Sequence, residues 1–230
     1  MSDEIVPTPE PKARRPRGQQ DQEIANRLSD RLPRLLAARA NAELVHFMTP
    51  RGFDAAGLGE GVTRGNDAQA TFNARAAALD AANTASRLRK AAEEAARTGY
   101  AGFRKIAGGV FKTNPTAKAA VTFTDRQLAD QQKFLTNVEG VYNTVLTRTT
   151  YLAALGKRGY DQAGINAELA KLKAMVQSAA DADTARQTAD RTLALHKTAV
   201  QAFDDWWAEL IAVAEVTLKD RPDLLKMLKP

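Results

Sequence analysis

The chain has 230 residues, 44% hydrophobic and 26% charged, with a formal net charge of +6, which is enough for one substantial core or two small ones. It contains no cysteine, and that excludes disulfide frameworks, thiolate metal sites and cysteine nucleophiles together. Alanine supplies nearly half of the apolar set while aromatics make up only 6%, so the composition predicts helix almost throughout, alanine having the strongest helix propensity.

Residues 1–20 hold Pro7, Pro9, Pro11 and Pro16 among charged and small residues. Such a segment buries too little apolar surface to offset its ordering entropy, and a disordered Pro/Arg tail is expected. Its only adjacent apolar pair is Ile5-Val6, so the apolar run of a signal peptide is missing and a cytoplasmic protein is expected. From Asp21 to about Met48 apolar residues recur at helical spacing (Ile24, Leu28, Leu32, Leu35, Val45). Pro33 should kink that helix or mark its true start.

A Gly-rich connector is expected from Pro50 to about Gly65, then a helix from Asp67 to Phe111 with an Ala-lined seam. Asn114-Pro115 ends this first unit, because proline disfavours the helical conformation in the residue before it. The second unit opens near Thr124 or Asp125, a plausible N-cap, and turns between Gly156 and Gly164. From Ile165 to Asp220 there is neither proline nor glycine. Ile165, Leu169, Leu172, Val176, Ala179, Leu193, His196, Val200, Phe203, Trp207 and Leu210 alternate three and four residues apart there, which is a coiled-coil seam. A break between Ser178 and Asp183 is the alternative to one long rod.

The two units are related. Arg51-Gly52-Phe53-Asp54-Ala55-Ala56-Gly57-Leu58 returns as Arg158-Gly159-Tyr160-Asp161-Gln162-Ala163-Gly164-Ile165, five identities in eight at an offset of 107. The same offset places Tyr100 on Trp207, Phe103 on Leu210, Ala107 on Ala214, Phe111 on Leu218 and Pro115 on Pro222. A long-period repeat is one supersecondary unit that needs its twin to bury its apolar face. The expected fold is all-α, with two tandem long helical hairpins (21–115 and 116–230) in one structural domain, an elongated four-helix bundle or coiled coil. The second helix of each hairpin should overhang the first with its aromatic end. Exposing that stripe is unfavourable, so Phe203, Trp206, Trp207 and Leu210 are expected to form an interaction surface.

Motifs of catalysis are sparse. Glu43-Leu44-Val45-His46 has the Glu-x-x-His spacing of di-iron bundles, but a second copy is missing, so no metal is expected. His196, on the apolar seam, reads as a hydrogen-bonded core histidine. Gly57-Leu58-Gly59-Glu60-Gly61 and Gly108-Gly109 lack the preceding strand or the Walker spacing of phosphate loops. No cofactor, small-molecule substrate or enzymatic activity is expected.

Charge layout points to partners. Residues 87–118 carry net +6 and their twins 194–225 carry net −3, which could attract across a bundle if the hairpins run parallel, or between subunits. Arg14-Arg15-Pro16-Arg17-Gly18 resembles the Pro-Arg-Gly core of AT-hook peptides, which lay arginines in the minor groove. Arg14, Arg15, Arg17, Arg87, Arg89, Lys90, Arg97, Arg104 and Lys105 are therefore the candidate contacts to nucleic acid or an anionic membrane surface. The ending Trp206-Trp207 through Asp220-Arg221-Pro222-Asp223-Leu224-Leu225-Lys226-Met227-Leu228 resembles that of an uncharacterised group of bacterial Ala-rich long-helix proteins. That resemblance implies a helical fold and no assigned activity. The expectation is a structural or protein-interaction bundle that partners itself, as a homo-oligomer, or another helical protein. Binding to nucleic acid or an anionic surface is the alternative.

Overall fold

A computed structural model describes residues 17–128 and 130–229. Eight helices carry them: α1 (Arg17–Ala40), α2 (Ala42–Met48), α3 (Ala55–Val110), α4 (Pro115–Val121), α5 (Gln131–Thr147), α6 (Thr149–Gly156), α7 (Gln162–Thr217) and α8 (Pro222–Leu228). No strand occurs among the described residues. Helices α3 and α7 have 56 residues each, about 84 Å at 1.5 Å per residue.

The offset of 107 recurs in the backbone. Adding it to the bounds of α3 and α4 reproduces those of α7 and α8. The turns before the long helices agree in detail. Gly52 and Gly159 both sit in the left-handed region, at φ 86° and 88°. The amides of Gly57 and Gly164 both donate to an aspartate Oδ1, of Asp54 at 2.7 Å and Asp161 at 2.8 Å. The repeated aspartate caps the long helix, and the repeated glycine lets the chain double back, since αL is costly for a residue with a Cβ.

Contacts divide the chain into two compact units, and not at the sequence midpoint. Unit 1 comprises Met1–Ala76 with Arg191–Pro230, and unit 2 comprises Ala77–Asp190. Each unit thus joins the front of one repeat to the back of the other, whereas sequential hairpins over 21–115 and 116–230 were expected. The division follows from direction. In unit 1, Gly61 lies under Trp206, Gly65 under Phe203, and Phe72 meets His196 edge-on at 5.6 Å. Numbers rise on α3 as they fall on α7, so the two helices are antiparallel there. In unit 2, Arg89 approaches Asp183 at 3.8 Å and Phe103 meets Tyr160 edge-on at 5.2 Å, again antiparallel.

Unit 1 packs Leu28 and Leu35 of α1, Leu44 and Met48 of α2, Leu58 and Val62 of α3, Phe203, Trp206, Trp207, Leu210 and Ala214 of α7, and Leu224 and Leu228 of α8 into one core. Unit 2 does the same with Tyr100 and Phe103 of α3, Val121 of α4, Phe134, Val138 and Tyr142 of α5, and Ile165, Leu172 and Met175 of α7. The short helices match too: α8 packs on α1 as α4 packs on α5.

Several local expectations are corrected. The expected tail of 1–20 lies outside the described residues up to 16, and Arg17 already opens α1. Pro33 sits inside α1 without ending it, and the break falls at Asn41, whose side chain caps α2 through the Leu44 amide. The expected glycine connector is mostly helix from Ala55 onward. Two of its glycines are there for packing: a Cβ on Gly61 would enter the Trp206 ring, and one on Gly65 would strike Leu32. The second repeat opens, as expected, with a short 3-10 turn at Asp125–Leu128, but the side chain that caps its first α-helix is that of Asp130, which accepts from the Lys133 amide. Helix α7 runs through 178–183 unbroken, but its buried line there passes through Met175, Ala182 and Ala189 while Val176 is 52% exposed.

Candidate functional site

The four residues expected on an interaction surface are inside unit 1. Phe203 and Leu210 are buried and Trp206 and Trp207 are each only 8% exposed. The end of α7 is not left uncovered: Arg27 and Arg31 of α1, from the other repeat, meet Asp204 and Trp207, and Leu224 and Leu228 of α8 share its core. Trp206 lies on Gly61 and meets Phe53 edge-on at 5.8 Å. Trp207 is tilted against Phe203 at 6.2 Å. The Arg31 guanidinium sits over the Trp207 ring at 5.4 Å, an arrangement that favours a cation electrostatically. Asp204 fixes that guanidinium, accepting from Arg31 at 2.5 Å and from Arg27 at 2.6 Å.

Beside these pairs lies a groove of about 610 Å³, between α1, the end of α7 and α8. Its walls are Trp207, Ala208, Ile211, Ala212 and Leu228, rimmed by Arg27, Asp30, Arg31, Glu215 and Lys229. The Lys229 ammonium bonds Glu215 at 2.6 Å, so most rim charges are paired and the floor is apolar. No sequence signal marked this groove, since it depends on which helices surround α7.

The candidate anion contacts scatter. Arg14 and Arg15 lie outside the described residues, and Arg17 begins α1. Arg87, Lys90 and Lys105 are exposed on α3, Arg87 donating to Thr84 at 3.1 Å. Arg89 faces Asp183. Arg97 is taken up by Glu93 at 2.8 Å and by the Phe134 ring, 4.6 Å from its guanidinium. Arg104 donates to the Phe123 carbonyl at 3.0 Å. The basic stretch 87–118 belongs to unit 2 and its acidic twin 194–225 to unit 1. The packing partners just described lie within each unit.

The histidines differ in setting. His46 is exposed on α2, and Glu43 bonds Arg221 instead of joining it. Among the described residues no group of His, Cys, Asp and Glu is placed to hold a metal. His196 is 2% exposed, and neither ring nitrogen has a hydrogen-bond partner, contrary to the expected hydrogen-bonded core histidine. Burial first, and then the Arg75 guanidinium, hold its imidazole below the usual histidine range, while Asp21 acts the other way. Arg75 is itself buried and donates to Asp21 at 2.6 Å, a pair that sequence spacing did not reveal because Asp21 was expected at the edge of the tail.

Unit 2 contains a second polar anomaly. The Tyr142 hydroxyl and Glu168 Oε2 are buried without partners, while Lys171 bonds the other oxygen, Oε1, at 2.7 Å. Burial, and next the Glu168 charge, push the Tyr142 hydroxyl well above the ordinary tyrosine range. Gly57, Gly59 and Gly61 are within α3, and Gly108 and Gly109 close it, so neither glycine motif forms a loop around an anion.

No described helix is long and apolar enough to cross a membrane. No family model matches the chain, and no curated protein or solved structure shows significant similarity to it.

Proposed function

We propose that the chain is a non-catalytic structural or protein-interaction module that acts by helix–helix association, with itself or with another helical protein, in a cytoplasmic setting. One observation supports this reading. Leu88 on α3 and Leu195 on α7 occupy equivalent positions of the repeat and are 61% and 57% exposed. Around Leu88 the exposed Ala81, Ala91 and Ala95 repeat at heptad spacing, and around Leu195 the exposed Thr188 and Thr198 do the same. Small residues flanking a leucine at this spacing make a seam on which a further helix can lie. With Phe203, Trp206, Trp207 and Leu210 buried, these exposed leucines, Leu88 in unit 2 and Leu195 in unit 1, take over the role expected of them.

Sedimentation equilibrium of the full chain over a hundredfold concentration range tests the proposal. Mass that rises with concentration, and falls back to the monomer in a Leu88→Glu, Leu195→Glu variant of unchanged helix content, is expected. A monomer at every concentration, with no helical partner recovered, removes it.

A second reading is supported by charge. Between residues 77 and 190 there are 16 Lys and Arg against 11 Asp and Glu, and Arg87, Lys90 and Lys105 are free to meet solvent. Binding of labelled duplex DNA or anionic vesicles that weakens steeply with salt, and weakens further in a triple Gln variant of those three, would favour an anion-binding module.

A further inference from the structure

Two contacts between α3 and α7, one in each unit, use the same pair of repeat positions and fill them in opposite ways. In unit 1, Gly61 of α3 lies under Trp206 of α7. At the offset of 107 the twin of Gly61 is Glu168 and the twin of Trp206 is Gly99. These twins meet in unit 2, where a Cβ on Gly99 would run into the Glu168 carboxylate. One layer on, Gly65 lies against Phe203 in unit 1, and their twins Leu172 and Ala96 are both buried in the unit 2 core. Repeat 1 supplies the small residue to each of these contacts, and repeat 2 the large one.

Charge follows the same rule. In unit 1, Asp204 of α7 accepts from Arg27 at 2.6 Å and from Arg31 at 2.5 Å, both on α1. The twins of Arg27 and Arg31 are Phe134 and Val138, and the twin of Asp204 is Arg97. In unit 2 the Arg97 guanidinium lies over the Phe134 ring at 4.6 Å, where the ring face attracts a cation. Each unit is matched within itself, by a carboxylate between two arginines in one and a guanidinium on an aromatic ring in the other.

Pairing a repeat with a second copy of itself, in the same antiparallel register, would undo every match. Repeat 1 on repeat 1 sets Gly61 against Gly99 and Gly65 against Ala96, which leaves holes in two successive layers. It also gathers Arg27, Arg31 and Arg97, with Glu93, bonded to Arg97 at 2.8 Å, as one carboxylate for three cations. Repeat 2 on repeat 2 drives Glu168 into Trp206 and Leu172 into Phe203, which overpacks the seam. It further sets Asp204 on Phe134 and Val138, where a carboxylate loses water and gains no cation. Net charge adds to the first penalty: residues 17–122 hold 16 Lys and Arg against 10 Asp and Glu, and residues 124–229 hold 14 against 14.

We propose that the contact faces of α3 and α7 are keyed by size and charge, so that repeat 1 accepts repeat 2, of its own chain or of another copy, and each repeat rejects a second copy of itself. Selectivity is a difference of affinities, set as much by clashes and unpaired charges in the wrong complex as by contacts in the right one. Any exchange of repeats between copies then joins unlike repeats only. The keys do not depend on Leu88 or Leu195, which are exposed.

The test uses the full chain with a protease site within 124–127, prepared with and without an N-terminal tag. Equal amounts of the two cleaved proteins are mixed, unfolded in urea, refolded together and captured on the tag. Repeat 2 should be recovered with tagged repeat 1, in at least tenfold excess over untagged repeat 1. Equal recovery of the two, or no repeat 2 at all, overturns the proposal. Ala96→Phe, Arg97→Asp and Gly99→Trp place the twin residues of α7 in repeat 1 and make it complementary to itself. With these changes in both batches, untagged repeat 1 should rise at least tenfold in the capture, and no rise shows that these residues are not the key. The uncut chain gives a separate readout. Asp204→Arg should lower the urea midpoint followed by Trp emission, and Arg27→Glu with Arg31→Glu in the same chain should restore at least half of the loss; no restoration counts against the charge key.

Discussion

Gly59 and Gly61 lie two residues apart on the same helix of the same unit, and alanine should act oppositely at them. In an exposed helix interior Gly→Ala gains about 1 kcal/mol through backbone entropy. At Gly59 a Cβ would be 3.4 Å from the Arg39 guanidinium carbon, the mobile end of a long side chain, so nearly the whole gain should be realised. At Gly61 the Cβ would penetrate the Trp206 ring. That ring is pinned by Phe53 and the surrounding core, and forcing a rigid aromatic aside costs about 1–3 kcal/mol. The propensity gain offsets part of it, leaving a net loss of about 1–2 kcal/mol. Urea unfolding followed by Trp emission reads the right unit, because both tryptophans belong to unit 1. Gly59→Ala should raise the midpoint and Gly61→Ala lower it. If both raise it equally, the Trp206–Gly61 contact is not what the structure describes.

Trp207→Ala should destabilise unit 1 by about 3–5 kcal/mol, as a large buried side chain does, and an effect on association without loss of unfolding free energy would contradict its burial. Gly52→Ala and Gly159→Ala should each cost about 1–2 kcal/mol because both residues have positive φ, and a large difference between them in thermal melts would break the equivalence of the two turns. For His196 the sign follows from its depressed value: the unfolded state takes up a proton below about pH 6.5 while the buried imidazole, beside Arg75, stays neutral. Its contribution therefore falls as pH drops from that point towards its folded value. His196→Leu should flatten this part of the stability–pH curve and raise stability at pH 6, and an unchanged slope would show that the ring is hydrated or paired.

The helical class, the continuous α7 and the paired Arg-Gly-aromatic-Asp turns were legible because periodicity, the absence of Pro and Gly, and repetition are local signals. Partnership between helices was not. A duplicated hairpin has the same apolar pattern whether it closes on itself or exchanges its second half with its twin, and only the antiparallel match of α3 with α7 decides. The same ambiguity hid the aromatic residues: Trp207 reads as overhanging if its neighbours come from its own hairpin, and as buried once α1 of the other repeat covers it. The glycines of α3 misled for a different reason. Gly61 and Gly65 resemble a connector until the rings they accommodate are known, because close approach by Trp206 comes from 145 residues away in sequence.

Cutting the chain once between the repeats tests the exchanged pairing most directly. A protease site placed within 124–127 separates the two repeats covalently, and each unit draws on both. The account predicts that the cleaved protein elutes from gel filtration as one particle of unchanged size and helix content, its fragments parting only in denaturant. Two folded fragments eluting separately under native conditions would contradict it.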